Sequence, residues 1–292
     1  MFKRIADAGV AQRPFSVLSP ITWVRALSAD IDALMRFRGA LAYLVHSHLK
    51  IRYQRSALGF CWTLLNPLMM LSVLAVVFST LLNRPLRSFT VYLFAGMLPW
   101  GFFSSLVLGG AQSLIRNETL VRRIYVPKLL FPMVVLVESA VNMVFAMAAL
   151  FLLLLAIRVS ANIQLVLLPA AFVLLAAFAL GVTLVLMVLN TFFRDIEHML
   201  QVVLRVWYFA SPILYEPERI IAKSHIGAVL LRFNPLTYIL DIFHCAFCSE
   251  GPDWPRWPAA STWLVASAFS FGFLLLGYGA YKLYEEKLAF RL

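Results

Sequence analysis

Lys50, Arg52 and Arg55 fall within the short run Lys50-Ile-Arg-Tyr-Gln-Arg-Ser56, and a lysine with two arginines so close together can hold a phosphate or a diphosphate. Arginine offers a planar fork of donors that grips phosphate oxygens in pairs, and lysine adds a point charge. The same three cations also suit a leaflet of anionic lipid, and both readings stand at this level. A second group is aromatic. Trp62, the run Pro99-Trp100-Gly101-Phe102-Phe103, the run Val206-Trp207-Tyr208-Phe209 and Tyr215 offer flat apolar faces, on which the C–H edges of sugar rings dock. Aromatic rings in membrane proteins serve core packing and interfacial belts just as well.

Other chemistry is thinly represented. Asp195, Glu197 and His198 form the one compact set that a membrane-embedded transferase could use. Glu138 and Arg205 lie inside apolar runs. A charge at a helix centre costs roughly 2.5–3.5 kcal/mol on insertion scales, and a proton relay would ask for several acids at mid-depth. The expected role of these two is therefore an interhelical polar contact. Cys245 and Cys248 sit in His-Cys-Ala-Phe-Cys, where they read as small buried side chains or as a disulfide; no second ligand pair supports a metal. The chain has no GxxxxGK[ST], no Gly-Lys pair, no GxGxxG and no HExxH, so nucleotide handling and zinc hydrolysis have no motif here.

The elements that must position these residues are apolar runs. No charged residue occurs between Arg55 and Arg84, between Arg87 and Arg116, from Val159 to Phe193 or from Trp257 to Tyr281, and Glu138 is the only one between Lys128 and Arg158. Crossing the hydrocarbon core takes about 20 apolar residues in a helix. The 292-residue chain is 62% hydrophobic and 13% charged, about half the charge of a soluble domain. Backbone groups in lipid must be satisfied within the segment, and the alternation of a β-barrel is absent, so the runs predict helices. The expected fold is an all-α integral membrane protein with six transmembrane helices at about 61–82, 90–111, 129–157, 164–189, 199–215 and 259–281, the fifth being short and carrying Arg205. Pro99 is expected to interrupt the second.

Residues 1–60 read as a cytoplasmic segment with an amphipathic interface helix, from the spacing of Trp23, Leu27, Ile31, Leu34, Phe37, Leu41 and Leu44; residues 61–281 read as the six-span domain and 282–292 as a cytoplasmic tail. Residues 112–128 predict a short polar-apolar helix stopped by Pro127, and residues 216–258 predict short re-entrant or gate helices on the outer face between spans five and six. Seventeen Lys and Arg residues fall on one side of this topology and seven on the other, which places both termini in the cytoplasm. The net charge of +11 reads as orientation and anionic lipid, with no nucleic acid as partner.

Lys50 to Pro67, ending in Gly-Phe-Cys-Trp-Thr-Leu-Leu-Asn-Pro, resembles the approach to the first span of ABC-2 type permeases that export polysaccharides. Asn117-Glu-Thr-Leu-Val-Arg-Arg-Ile-Tyr-Val-Pro-Lys128 is similar to the cytoplasmic coupling segment of that family. Phe192-Phe-Arg-Asp-Ile-Glu-His198, Ser211-Pro-Ile-Leu-Tyr215 and Asn234-Pro-Leu-Thr-Tyr-Ile-Leu-Asp-Ile-Phe243 follow in the expected order. The likeness covers roughly residues 40–285 and looks greatest to the O-antigen (Wzm-like) group.

The resemblance implies a homodimer of permease subunits in a two-plus-two complex with a separate ABC ATPase (Wzt-like). That partner would bind ATP and Mg; this chain would carry no cofactor and no catalytic site. It implies undecaprenyl-diphosphate-linked polysaccharide as cargo, O-antigen foremost, with capsular polysaccharide, teichoic acid or a drug as alternatives, moved across the bacterial inner membrane. Carried onto this sequence, the coupling residues are Arg116, Asn117, Leu120, Val121, Arg122, Arg123, Arg194 and Asp195; the aromatic groups named above would line the path, and Lys50, Arg52 and Arg55 would meet the diphosphate.

Overall fold

The structure is a computed structural model that describes residues 20–53, 61–81, 83–123, 126–156, 158, 163–248 and 254–291, without the side chains of 20–24, 52–53, 61–68 and 289–290. Every regular element among the described residues is helical. Two helices, α1 (Pro20–Arg36) and α2 (Arg38–Tyr53), precede the bundle. The bundle consists of α3 (Cys61–Leu81), α4 (Leu86–Ala111), α7 (Leu130–Ala156), α8 (Leu168–Phe192) and α13 (Ala260–Arg291), with α9 (Ile196–Ala210) against α4 and α8. The short α5 (Ser113–Arg116) and α6 (Glu118–Arg123) join α4 to α7, and α10 (Pro217–Lys223), α11 (His225–Phe233) and α12 (Pro235–Phe247) join α9 to α13. The chain direction puts α1, α5, α6 and the last turns of α13 at one end, called here the terminal end, and α10–α12 at the opposite end.

Four of these helices, α4, α7, α8 (with its 3-10 lead-in from Ile163) and α13, are each long and apolar enough to cross a bilayer. α3 has 21 residues and fits the first expected span, although the side chains of 61–68, Trp62 among them, lie outside the described set. The expected fifth span is different. α9 has only 15 residues and stops at Ala210, which at 1.5 Å per residue reaches about 22 Å, short of a 30 Å core. Ser211 to Tyr215 turn back into the protein instead, with Ser211 and Ile213 fully buried. Pro212 and Pro217 prevent the helix from continuing. The segment after α9 then forms a bent pair, α11 and α12 meeting at 83° across Asn234.

Two further expectations need correction. Pro99 does not interrupt its helix; it lies buried inside a continuous α4, where neighbouring helices make such a proline tolerable. Residues 113–123 form two short helices and not one, because the Asn117 side chain donates through Nδ2 to the Ser113 carbonyl at 2.8 Å and closes α5. Asparagine competes with the backbone in this way and breaks helices where it does so.

The tightest packing joins α8 to α13. A methyl group at Gly277 would stand 2.1 Å from the Gly181 carbonyl oxygen, and one at Gly181 would stand 2.4 Å from the Phe273 carbonyl. Only glycine lets two backbones approach this closely, as small residues do at membrane helix interfaces. α1 docks beside this pair: Asp30 accepts from the Tyr278 hydroxyl at 2.8 Å and pairs with Lys282 at 2.7 Å. Its apolar Leu27, Ile31 and Met35 face outward instead. The amphipathic helix therefore turns Asp30 and Leu34 to the protein and the rest of its oily stripe away from it.

Candidate translocation face and coupling segment

The aromatic residues converge where α4, α8 and α9 meet. Trp100 meets Tyr208 edge-on with centroids 5.5 Å apart, and Phe103 lies 5.7 Å from Trp100, 5.1 Å from Trp207 and 5.5 Å from Phe178. Edge-to-face and offset contacts at these separations are the favoured arrangements of aromatic pairs. Phe103 is fully buried and Phe102 is 3% exposed, packed on Phe172, so both belong to the interior of this subunit. Trp100, Trp207, Tyr208 and Tyr215 are half-buried. Beside them α9 turns Met199, Val202, Val203, Val206 and Phe209 outward, and α3 turns out Met69, Met70, Val73, Val76 and Val77. Trp100, Gly101 and Ser104 thus lie on a partly open strip of α4, bordered by α9 on one side.

Asn234 positions this cluster through contacts that the sequence did not give. Its side-chain oxygen accepts from the Trp207 indole at 3.0 Å and from the Leu236 amide at 3.1 Å; its amide donates to the Ala210 carbonyl at 3.2 Å and the Ser211 hydroxyl at 2.9 Å. One asparagine therefore caps α12 and ties it to the end of α9. The expected path residue Trp207 spends its N–H on this knot. Tyr215 helps from the other side: its hydroxyl donates to the Phe209 carbonyl at 3.1 Å, and its carbonyl accepts from Tyr92 at 2.8 Å. An Asn-Pro pair marks a helix start in any sequence, but a partner 27 residues away leaves no such mark.

Ion pairs fasten the rest of the opposite end. Arg84 reaches Glu216 at 2.5 Å and Arg219 reaches the same carboxylate at 3.1 Å. Arg256 stacks 4.8 Å above Trp254, bonds Asp241 at 2.5 Å and lies 3.7 Å from Glu218. Cys245 in α12 and Cys248 just after it are free and buried.

The terminal end is built differently. Leu120 and Val121 of α6 pack on a cluster that includes Leu114, Leu129, Phe131, Met187 and Tyr281, while Arg116, Arg122 and Arg123 point into the open. Arg122 pairs with Glu118 one turn back at 2.8 Å; Arg116 and Arg123 make no ion pair among the described residues. Asn117 is half-buried at the break between α5 and α6. Arg194 and Asp195 are exposed just before α9, at the same end of the subunit. Asn190 fixes the two loops to each other, donating to the Ala111 carbonyl at 3.0 Å. Lys128 donates to the Glu285 carbonyl; burial pushes its pKa below the usual lysine range, and the Glu285 carboxylate opposes that shift. Of the three cations before the first span, Lys50 is exposed on α2, the Arg52 side chain lies outside the described set and Arg55 lies outside the described residues.

The ABC-2 type transporter family profile matches residues 40–247, from α2 through the whole of α12. This chain belongs to that family. Among curated ABC-2 relatives it is similar to the O-antigen export system permease protein RfbA of Myxococcus xanthus, with 30% identity over 257 residues, 88% of this chain and 95% of the relative. A Klebsiella pneumoniae protein of the same name is 24% identical over 201 residues, 68% of this chain and 76% of the relative. The polysialic acid transport protein KpsM of Escherichia coli is 26% identical over 217 residues, 70% of this chain and 80% of the relative. Family membership gives the exposed α5–α6 segment and the open face of α4 a shared context, that of a transporter membrane subunit.

Proposed function

We propose that this chain is the membrane subunit of an ABC exporter that carries undecaprenyl-diphosphate-linked polysaccharide, O-antigen foremost, across the bacterial inner membrane. The observation that carries the proposal is the similarity to an O-antigen export permease along 95% of that relative's length. Energy comes from a separate ATPase subunit, which docks on the terminal end. Its support is the form of α5–α6: apolar Leu120 and Val121 hold the segment on the bundle, and the exposed Arg116 and Arg123, with Arg194 and Asp195 nearby, are presented to a partner groove beside the Arg122–Glu118 pair. Two permease subunits pair through the outward faces of α3 and α9, and the open strip of α4 around Trp100 and Tyr208 faces the glycan. In this arrangement both termini and Lys50 lie in the cytoplasm, and Lys50, Arg52 and Arg55 meet the diphosphate as it leaves the inner leaflet.

Capsular polysaccharide is the second reading, favoured by the likeness to the polysialic acid transport protein at 26% identity. The test is reconstitution of the chain with its ATPase in vesicles loaded from one side with lipid-linked glycan. ATP-dependent appearance of glycan on the far side is expected, with neither subunit active alone. Glycan that never crosses, in complexes that do hydrolyse ATP, would reject polysaccharide as the cargo.

A further inference from the structure

A polar cavity of about 370 Å³ lies between α2, α4, α5 and α7 at the terminal end, apart from the aromatic cluster, with Arg116 and Asn117 of the coupling segment on its wall. Its most unusual occupant is Glu138. This carboxylate is 8% exposed and sits eight residues into α7, about 12 Å along the helix from Leu130. An acid at that depth in a membrane helix is costly unless partnered. One partner is present: His48 of α2 lies 2.7 Å from Oε1. Oε2 has no hydrogen-bond partner among the described residues.

The other walls supply the opposite charge. Arg116 of α5 lines the same cavity, is exposed and makes no ion pair among the described residues. Asn117 stands next to it, and the hydroxyl-bearing Ser139 lies beside Glu138. Leu44, Ile51 and Val134 complete an apolar border, with Ile51 itself 65% exposed. A buried carboxylate with one oxygen free, a free guanidinium at the rim and a greasy border describe a ligand that carries a cation, an anion and an apolar tail, in that order.

We infer that this cavity is a binding site for the headgroup of an aminophospholipid. The primary ammonium donates to Oε2 of Glu138, the phosphate accepts from Arg116 and Asn117, and the acyl chains leave past Leu44 and Ile51. A lipid seated there touches α2, α7 and the α5–α6 segment at once, so it ties the coupling segment to the bilayer's composition. A purely anionic lipid leaves Glu138 facing a phosphate, and a quaternary ammonium has no N–H to donate. The site therefore discriminates by the number of ammonium hydrogens. The inference stands whatever the cargo.

The experiment uses the full chain in nanodiscs or in detergent, with bound lipid counted by native mass spectrometry. The probes are one acyl composition with four heads, phosphatidylethanolamine, its N,N-dimethyl form, phosphatidylcholine and phosphatidylglycerol, beside free phosphoethanolamine. The wild type is expected to retain phosphatidylethanolamine at least tenfold better than phosphatidylcholine, about what one charge-assisted hydrogen bond supplies. The dimethyl form should fall between them. Glu138→Gln should erase that preference, and Arg116→Ala should weaken all phospholipids alike. His48→Ala leaves the carboxylate in place and frees its second oxygen, so it should keep or raise the preference; it serves as the test if Glu138→Gln does not fold. Equal retention of the ethanolamine and choline heads, preference for phosphatidylglycerol, or an undiminished preference in Glu138→Gln would each overturn the assignment. Free phosphoethanolamine binding as tightly as the lipid would overturn it too, by making this a site for a soluble ligand.

Discussion

The two ends of the subunit treat their arginines in opposite ways. At the end carrying α10–α12, Arg84, Arg219 and Arg256 each stand on a carboxylate, and Arg87 donates to the Arg158 carbonyl at 2.5 Å. At the terminal end Arg116, Arg123 and Arg194 are exposed and make no ion pair among the described residues. Each end has an exception, Arg232 of α11 being exposed without an ion pair among the described residues and Arg122 being matched by Glu118, so the first end is mostly closed on itself by charge and the second mostly left unfinished. A cation matched within its own chain serves the fold, and a cation left unmatched on an ordered helix is available to something outside the chain. Binding surfaces can thus be separated from scaffold by asking which charges already have partners.

Removing Asn234 should do the greatest harm to the closed end. Asn234→Ala strands the Trp207 N–H and the Leu236 amide and frees the end of α9, at an expected loss of about 3 kcal/mol. Thermal unfolding in detergent checks it. Asn234→Asp keeps both acceptor contacts and should lose clearly less. If the alanine variant melts like the wild type, the knot does not hold this end.

Arg256→Gln comes next. It leaves Asp241, whose side chain is 17% exposed, without its cation, for an expected loss of about 2 kcal/mol. Adding Asp241→Asn should restore part of this, and the double-mutant cycle measures the pair directly. Additive losses would mean that the two charges do not support each other.

At the unfinished end the ranking on stability and on partnership should reverse. Arg122→Ala with Arg123→Ala removes surface charge and one exposed i,i+4 pair with Glu118, so unfolding should shift by no more than about 1 kcal/mol. Co-purification of the ATPase and ATP-driven export should nevertheless collapse. Full retention of the ATPase would move the docking surface toward Arg194 and Asp195. Lys50→Ala should be milder still, leaving the fold unchanged and lowering headgroup binding by a few-fold. Normal binding in that variant would leave Lys50 with no part in headgroup recognition.

What the sequence made legible follows from which interactions are local. Long apolar runs, broken by charge at Glu138 alone, mark α4, α7, α8 and the greater part of α13 because a bilayer demands continuity along one segment. The fifth run read as short, but its end at Ala210 was not legible: Ser211–Tyr215 was counted in the span, and contacts with Tyr92 and Asn234 show that it turns inward. The aromatic clusters were visible as composition. Which rings face inward was not, since Phe102 and Phe103 are buried beside a half-exposed Trp100 in one helical turn. Glu138 stood out as a lone acid, but its partner His48 is 90 residues away, and no spacing rule joins them.

The glycine contact between α8 and α13 has a mechanical consequence. Two helices that touch backbone to backbone at Gly181 and Gly277 have no side-chain cushion on which to slide or roll. They behave as a stator. Any stroke delivered at the terminal end must be taken up by helices held through looser side-chain contacts, of which α9, anchored inward mainly by Leu200, Leu204 and Trp207, is the lightest. Enlarging either glycine would wedge the stator apart, and a transporter damaged in that way should fail to assemble before it fails to turn over.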